Sequence, residues 1–161
     1  MPILFGYGSL LDEEFTKTYT KLSYATLIPT RDVPLRRAFN VHCVWKKAGK
    51  NKGVKYCAVG LEVVPFCQAR AVHGVLIEVT DAILQDLIVR EAEYRQLVLP
   101  LSAFLTLEPV LQDGSVTVFI PKVSQYPTEE YPLNKDYIDI CIRGFAKCSA
   151  EWADTFLEMT A

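Results

Sequence analysis

Residues 1–10, Met1-Pro2-Ile3-Leu4-Phe5-Gly6-Tyr7-Gly8-Ser9-Leu10, decide how the rest of the chain is read. Pro2 to Phe5 is a short apolar run of the kind that forms a fully buried strand, and it breaks abruptly into Gly-Tyr-Gly-Ser. Two glycines around an aromatic let the backbone take positive φ or approach a ligand closely. Successive N–H groups can then converge on an anion or a carbonyl oxygen. Taken alone, the tetrapeptide is equally well explained as a tight turn that merely needs glycine.

The surrounding composition bounds what such a loop can serve. The chain has 161 residues, half of them hydrophobic, and a net charge of −2. That length predicts a single domain over 1–161 with one substantial core. The balance excludes a disordered chain and is not basic enough for nucleic acid. Apolar stretches such as Leu97-Val98-Leu99-Pro100-Leu101 fall far short of a bilayer span, so no membrane segment is expected. Met1 leads straight into the first strand with no basic n-region or small-residue cleavage site, and the expected compartment is the cytoplasm. Five cysteines, Cys43, Cys57, Cys67, Cys141 and Cys148, form no C-x-x-C pair. Their odd number predicts reduced, mostly packed thiols. With only His42 and His73 available, no zinc-ligand spacing can be assembled, and no structural metal is expected.

Past the glycine loop, Asp12 to Tyr19 reads as a short helix with its acidic residues first. Ser23 to Pro29 and Val33 to Trp45 read as strands, the second leading into an exposed, lysine-rich hairpin loop over Lys46 to Lys55. Tyr56 to Val64 and Val72 to Val79 are further β-rich runs, which favours an antiparallel, barrel-like sheet. Gly60 and Gly74 sit inside them, where glycine marks a bulge or a close backbone contact. His42 and His73 fall inside strand patterns and read as packed core or edge residues. Thr80-Asp81 caps a helix that runs into Val89-Arg90-Glu91-Ala92-Glu93-Tyr94-Arg95, before Gln96 to Leu101 turns strand-like. Leu105 to Leu111, the Asp113-Gly114 turn and Ser115 to Ile120 read as a hairpin. Pro121 to Pro132 is a loop suited to covering a pocket. Asn134 then caps a helix to about Ala146, and Ser149 caps another with Trp152, Phe156 and Leu157 on one face.

By its chemistry Glu91 stands out. It lies where a helix gives way to a strand, and its neighbours Val89 and Ala92 are apolar enough to let it point into a pocket. Partial desolvation raises a carboxyl pKa and makes it a usable general acid and base near neutral pH. Pairing with Arg95 on a solvated helix face is the competing reading. Glu93 is its rival for any acid–base role. Arg36 and Arg37 could receive a substrate carboxylate, although adjacent strand arginines more often place one in solvent and one near the sheet.

Phe5-Gly6-Tyr7-Gly8-Ser9-Leu10, succeeded some eighty residues later by Leu87-Ile88-Val89-Arg90-Glu91-Ala92-Glu93-Tyr94-Arg95, resembles the γ-glutamylcyclotransferase-like superfamily (ChaC/AIG2-like). Tyr7, Gly8, Ser9 and Leu10 match its Y-G-S-[LN] strand end, in the version that looks like the ChaC-type branch. Arg90 and Glu91 match the segment that carries its catalytic glutamate, although many members have more residues between that glutamate and the tyrosine. Val72-His73-Gly74-Val75-Leu76 is similar to the strand before that segment. Tyr137 to Gly144 looks like the family's helix that opens on a tyrosine.

The resemblance implies an α+β fold, a small mixed, largely antiparallel β-barrel with peripheral helices and a pocket at its mouth. It implies a reaction in which the free α-amine of a γ-glutamyl group attacks its own γ-carbonyl. Attack within one molecule closes 5-oxoproline and releases an amine, amino acid or peptide, with no cofactor. Glu91 would take the proton from the ammonium and return it to the leaving nitrogen. The N–H groups of Tyr7, Gly8, Ser9 and Leu10 would hold the γ-glutamyl group and the oxyanion, with Tyr137 hydrogen-bonding in the pocket. A non-catalytic small-metabolite binding module on the same scaffold is the alternative, since a fold does not fix a function. Phosphate or nucleotide binding is disfavoured, because no Lys follows the glycines and no G-x-G-x-x-G precedes a long helix. The only partner implied is a small γ-glutamyl substrate, with no nucleic acid and no membrane. Oligomeric state is open, a homodimer through an exposed Trp or Tyr patch being one arrangement.

Overall fold

The computed structural model describes residues 2–8, 19–46, 48–90, 93–110 and 114–161. The short helix expected over Asp12 to Tyr19 falls almost wholly outside them. Strand β1 (Ile3–Gly6) is buried at every position. Ile3 and Phe5 enter one apolar cluster with Leu27, Leu61, Leu76 and Ile120, while Leu4 enters a second with Val59, Ile77, Phe145 and Phe156. A strand covered on both faces reads as an unbroken apolar run, as this one does.

Around β1 lie β2 (Thr20–Leu27), β5 (Val72–Glu78), β6 (Tyr94–Pro100), β7 (Phe104–Thr106) and β8 (Ser115–Pro121), in the order β6-β8-β1-β5-β2-β7. Every neighbouring pair is antiparallel except β1 with β8. Strands β3 (Leu35–Val44) and β4 (Lys55–Val63) form a separate antiparallel pair beside β8, and the whole is a curled half-barrel with few peripheral helices. The lysine-rich segment is the loop between β3 and β4, closed by Trp45 N–H to Val54 O and Gly53 N–H to Trp45 O, both 2.9 Å.

The described α-helices are α1 (Asp81–Arg90), α2 (Lys135–Ala146) and α3 (Ala150–Asp154). Thr80 Oγ1 accepts from Ile83 N–H at 3.1 Å, Asn134 Oδ1 from Tyr137 N–H at 2.9 Å and Ser149 Oγ from Trp152 N–H at 3.4 Å, so each expected cap is formed. Cys141, Phe145 and Tyr137 of α2 pack into the second cluster.

Three expectations are corrected. The helix expected to run to Arg95 ends at Arg90, because Tyr94 to Pro100 pairs along its whole length with β8 and the ladder outcompetes another helical turn. Leu105–Leu111 and Ser115–Ile120 do not form a hairpin. Strand β7 pairs with β2 at one edge of the sheet, and β8 lies between β6 and β1 near the other. Leu157 lies past the end of α3 and is exposed, whereas Phe156 is fully buried. Cys57 and Cys141 are buried and Cys43 and Cys148 partly so, in keeping with mostly packed thiols, while Cys67 is exposed in a short 3₁₀ turn.

Candidate active site

Where β1 ends, the Gly6-Tyr7-Gly8 backbone forms one wall of a cavity of about 290 Å³. Tyr7 is fixed by its hydroxyl, which donates to the Phe119 carbonyl at 2.7 Å and ties the loop to β8. Phe119 lines the same cavity, as do Cys43, Tyr56 and Val59 from β3 and β4. Close approach at the strand's end depends on a glycine one strand away: a Cβ on Gly74 would lie 2.3 Å from the Gly6 carbonyl oxygen and 2.7 Å from the Phe5 ring. Real Cβ atoms do not approach that closely, so a side chain there would push β1 and β5 apart.

Tyr137 reaches the cavity from the first turn of α2, where the Asn134 cap fixes its backbone. Its ring lies 5.1 Å from that of Tyr56, and its hydroxyl accepts from the Val59 N–H at 3.0 Å. Burial holds the Tyr137 phenol well above its ordinary pKa, with Cys141 adding to the shift. Tyr137 is therefore a neutral hydrogen-bonding group here and not a base. A Cβ on Gly8 would sit 3.4 Å from that hydroxyl, so the glycine backbone and the phenol share one small space.

Tyr7, Gly8 and Tyr137 thus come together, 130 residues apart at the extremes (137 − 7). Ser9, Leu10 and Glu91 lie outside the described residues. Their flanks are described: Leu87 of α1 and Tyr94 of β6, which bracket Glu91 in the chain, both line the cavity. Glu93 is exposed and lines a neighbouring cavity of about 450 Å³, together with Asn40, His42, Lys122 and Gln125. Tyr94 borders both. The proline-rich loop supplies Lys122, Val123 and Gln125 to this second cavity.

Among the described lining residues of the first cavity there is no carboxylate, amine or guanidinium. Neither expected arginine enters it. Arg36 Nε donates to Glu62 at 2.6 Å, across the β3–β4 register. Glu62, 6% exposed, also accepts from the Tyr126 hydroxyl, so this buried carboxylate is satisfied and holds the proline-rich loop in place. Arg37 lies inside the protein behind the Tyr7 carbonyl, 2% exposed. Loss of hydration lowers its pKa to about 10, which leaves it charged at neutral pH.

Tyr56, Cys43 and Phe119 were not legible as site residues, because which way a strand side chain points depends on register. Tyr94 and Leu87 stand inside the motif that carries Glu91, so the signal for them was present. Among the described residues no group of three or more His, Cys, Asp or Glu is placed to hold a metal, and no helix is long and apolar enough to cross a membrane.

Several solved structures share this architecture. A γ-glutamyl cyclotransferase superposes with a TM-score of 0.64 at 15% identity, over 98% of this chain and 87% of its own. An uncharacterized Homo sapiens protein gives a TM-score of 0.65 at 15% identity, over 98% and 86%. YkqA from Bacillus subtilis gives 0.61 at 15% identity, over 98% of this chain and 53% of its own length. No family model and no curated protein sequence matches the chain. What the solved structures share with it is the fold, and the chain has the γ-glutamylcyclotransferase-like fold.

Proposed function

We infer that the protein is a γ-glutamylcyclotransferase, converting a γ-glutamyl amine, amino acid or peptide into 5-oxoproline and the freed amine. The observation that carries this reading is the cavity at the end of β1. The glycine-flanked backbone, the Tyr137 phenol and both flanks of the segment holding Glu91 meet there. Its volume of about 290 Å³ suits a small metabolite, lying at the low end of the roughly 300–1,000 Å³ typical of ligand pockets.

The chemistry asks little of the protein beyond holding the γ-glutamyl chain curled, since the nucleophile and the carbonyl belong to one molecule. The ammonium must lose a proton before it attacks, and the leaving nitrogen must gain one. Glu91 carries that proton between them. Amide N–H groups from Tyr7 to Leu10 stabilise the oxyanion, and the neutral Tyr137 hydroxyl orients the substrate.

Purified protein incubated with a panel of γ-glutamyl compounds should release 5-oxoproline. Glu91→Gln should lower that rate by about 10²–10⁴-fold, the range for loss of a general acid–base. Full activity in the variant removes Glu91 from the role. The second reading is a binding module without turnover, since the fold does not fix a function. Binding of γ-glutamyl compounds with no 5-oxoproline from any of them would select it.

A further inference from the structure

Arg37 is a charged side chain sealed inside the protein, and among the described residues no carboxylate pairs with it. Its Nε donates to Thr160 Oγ1 at 2.8 Å, Nη2 to the Phe156 carbonyl at 3.4 Å, and Nη1 to the carbonyls of Tyr7 and His73 at 3.5 and 3.4 Å. The guanidinium carbon lies 4.9 Å from the Phe145 ring centroid and 4.6 Å from that of Phe156. Every one of these partners is neutral. Removing a cation from water without an anion to meet it is costly, and a buried charge of this kind is ordinarily paired.

Tyr7 and His73 explain the placement. Strand β1 pairs with β5 as far as Gly6 opposite Val75, and there the ladder ends. Arg37 takes up carbonyls of both strands just beyond that point. The Tyr7–Gly8 peptide is trans, so its carbonyl and its N–H point in opposite directions. With the Tyr7 oxygen drawn back onto the guanidinium, the Gly8 N–H is turned to the other side, where Gly8 lines the cavity. Drawing electron density toward that oxygen also makes the N–H a stronger donor. Among the described residues the lining holds no cation, and Arg37 places one behind its wall.

We propose that Arg37 is a positioning residue that aims the Gly8 N–H into the cavity and places an uncompensated positive charge behind it, so that the site selects a ligand bearing a carboxylate. The assignment rests on the γ-glutamyl reading for the natural ligand, whose α-carboxylate is the group selected. The two can fail separately.

Calorimetric titration of the full chain with 5-oxoproline and with 5-oxoprolinamide, its uncharged counterpart, tests the assignment. Wild-type protein should bind the carboxylate about tenfold more tightly than the amide. Arg37→Met should bring that ratio close to one, and Arg37→Lys, which keeps the charge without the guanidinium fork, should retain part of it. A merely structural role would weaken both probes alike, so an unchanged ratio in a folded Arg37→Met overturns the proposal. Should Arg37→Met not fold, the wild-type ratio and Arg37→Lys decide: a wild-type ratio near one, or no binding of either probe, overturns it. A carboxylate preference in a protein that releases no 5-oxoproline from any γ-glutamyl compound sinks the catalytic reading and leaves Arg37 in place.

Discussion

The His73 imidazole stacks 4.3 Å from the Trp152 ring and shares a 2.8 Å hydrogen bond between Nδ1 and Thr26 Oγ1. Loss of hydration, and then the nearby Arg37 charge, push its pKa below the ordinary histidine value. The unfolded chain therefore takes up this proton at about pH 6.5, while the folded protein resists it until the pH is lower. In that window the unfolded state binds more protons, so stability is full above about pH 6.5 and is lost as the pH falls. Urea midpoints at pH 7.5 and 5.5 should show a larger drop for wild type than for His73→Gln; equal drops would contradict the assignment. At this scale the sequence was partly legible. Tyr7, Gly8 and Tyr137 could be named because short motifs carry them. Arg37 could be named only together with Arg36, and Glu62 not at all, because adjacent arginines and a strand glutamate show neither their burial nor their partners until the β3–β4 register is known.

Gly74 shows how one position controls a pair of strands. Its α-carbon leaves no room for a methyl group beside the Gly6 carbonyl oxygen, 2.3 Å from where a Cβ would stand. Gly74→Ala should destabilise by about 1–3 kcal/mol, the usual range for overpacking, and should loosen the loop just after β1. Denaturant unfolding measures the first effect, and hydrogen exchange at Tyr7 and Gly8 the second. A variant as stable as wild type, with unchanged exchange, would show that the strands yield freely. Gly74 was readable as a close-contact position because glycine weakens a strand interior and is kept there chiefly where backbones or rings crowd it. The end of α1 was not readable. Val89 to Arg95 suits a helix locally, and only pairing with β8, some twenty residues further on, makes Tyr94 and Arg95 strand. The supposed hairpin failed for the same reason: its turn signal was local, but the partners of β7 and β8 are distant.

Across the molecule, residues 155–161 return to the sheet and close its second core. Phe156 is fully buried, 5.3 Å from Phe145 and 6.3 Å from Phe39 between ring centroids. Ala161 exchanges backbone hydrogen bonds with β3, its N–H to Arg37 O at 2.9 Å and its carbonyl accepting from Phe39 N–H at 3.0 Å. Phe156→Ala should cost about 3–5 kcal/mol, as for other large aromatic truncations in a core. That loss is a large share of a domain's stability, so a thermal melt should show a fall of roughly 6–20 °C. A melt within a few degrees of wild type would mean that the core closes over the gap. The mixed α+β class was legible from alternating β-rich runs and capped helices; the return of 155–161 was not, since nothing local distinguishes a helix exit that docks from one that frays. The parallel pairing of β1 with β8 also bears on synthesis. Ile3 meets Val116, 113 residues later (116 − 3), and at roughly 5–20 residues per second the ribosome needs on the order of ten seconds to deliver that partner. For that interval the most apolar strand of the sheet has one flank uncovered. Nascent chains that stall or are cut between these two points therefore leave that apolar edge without its β8 partner.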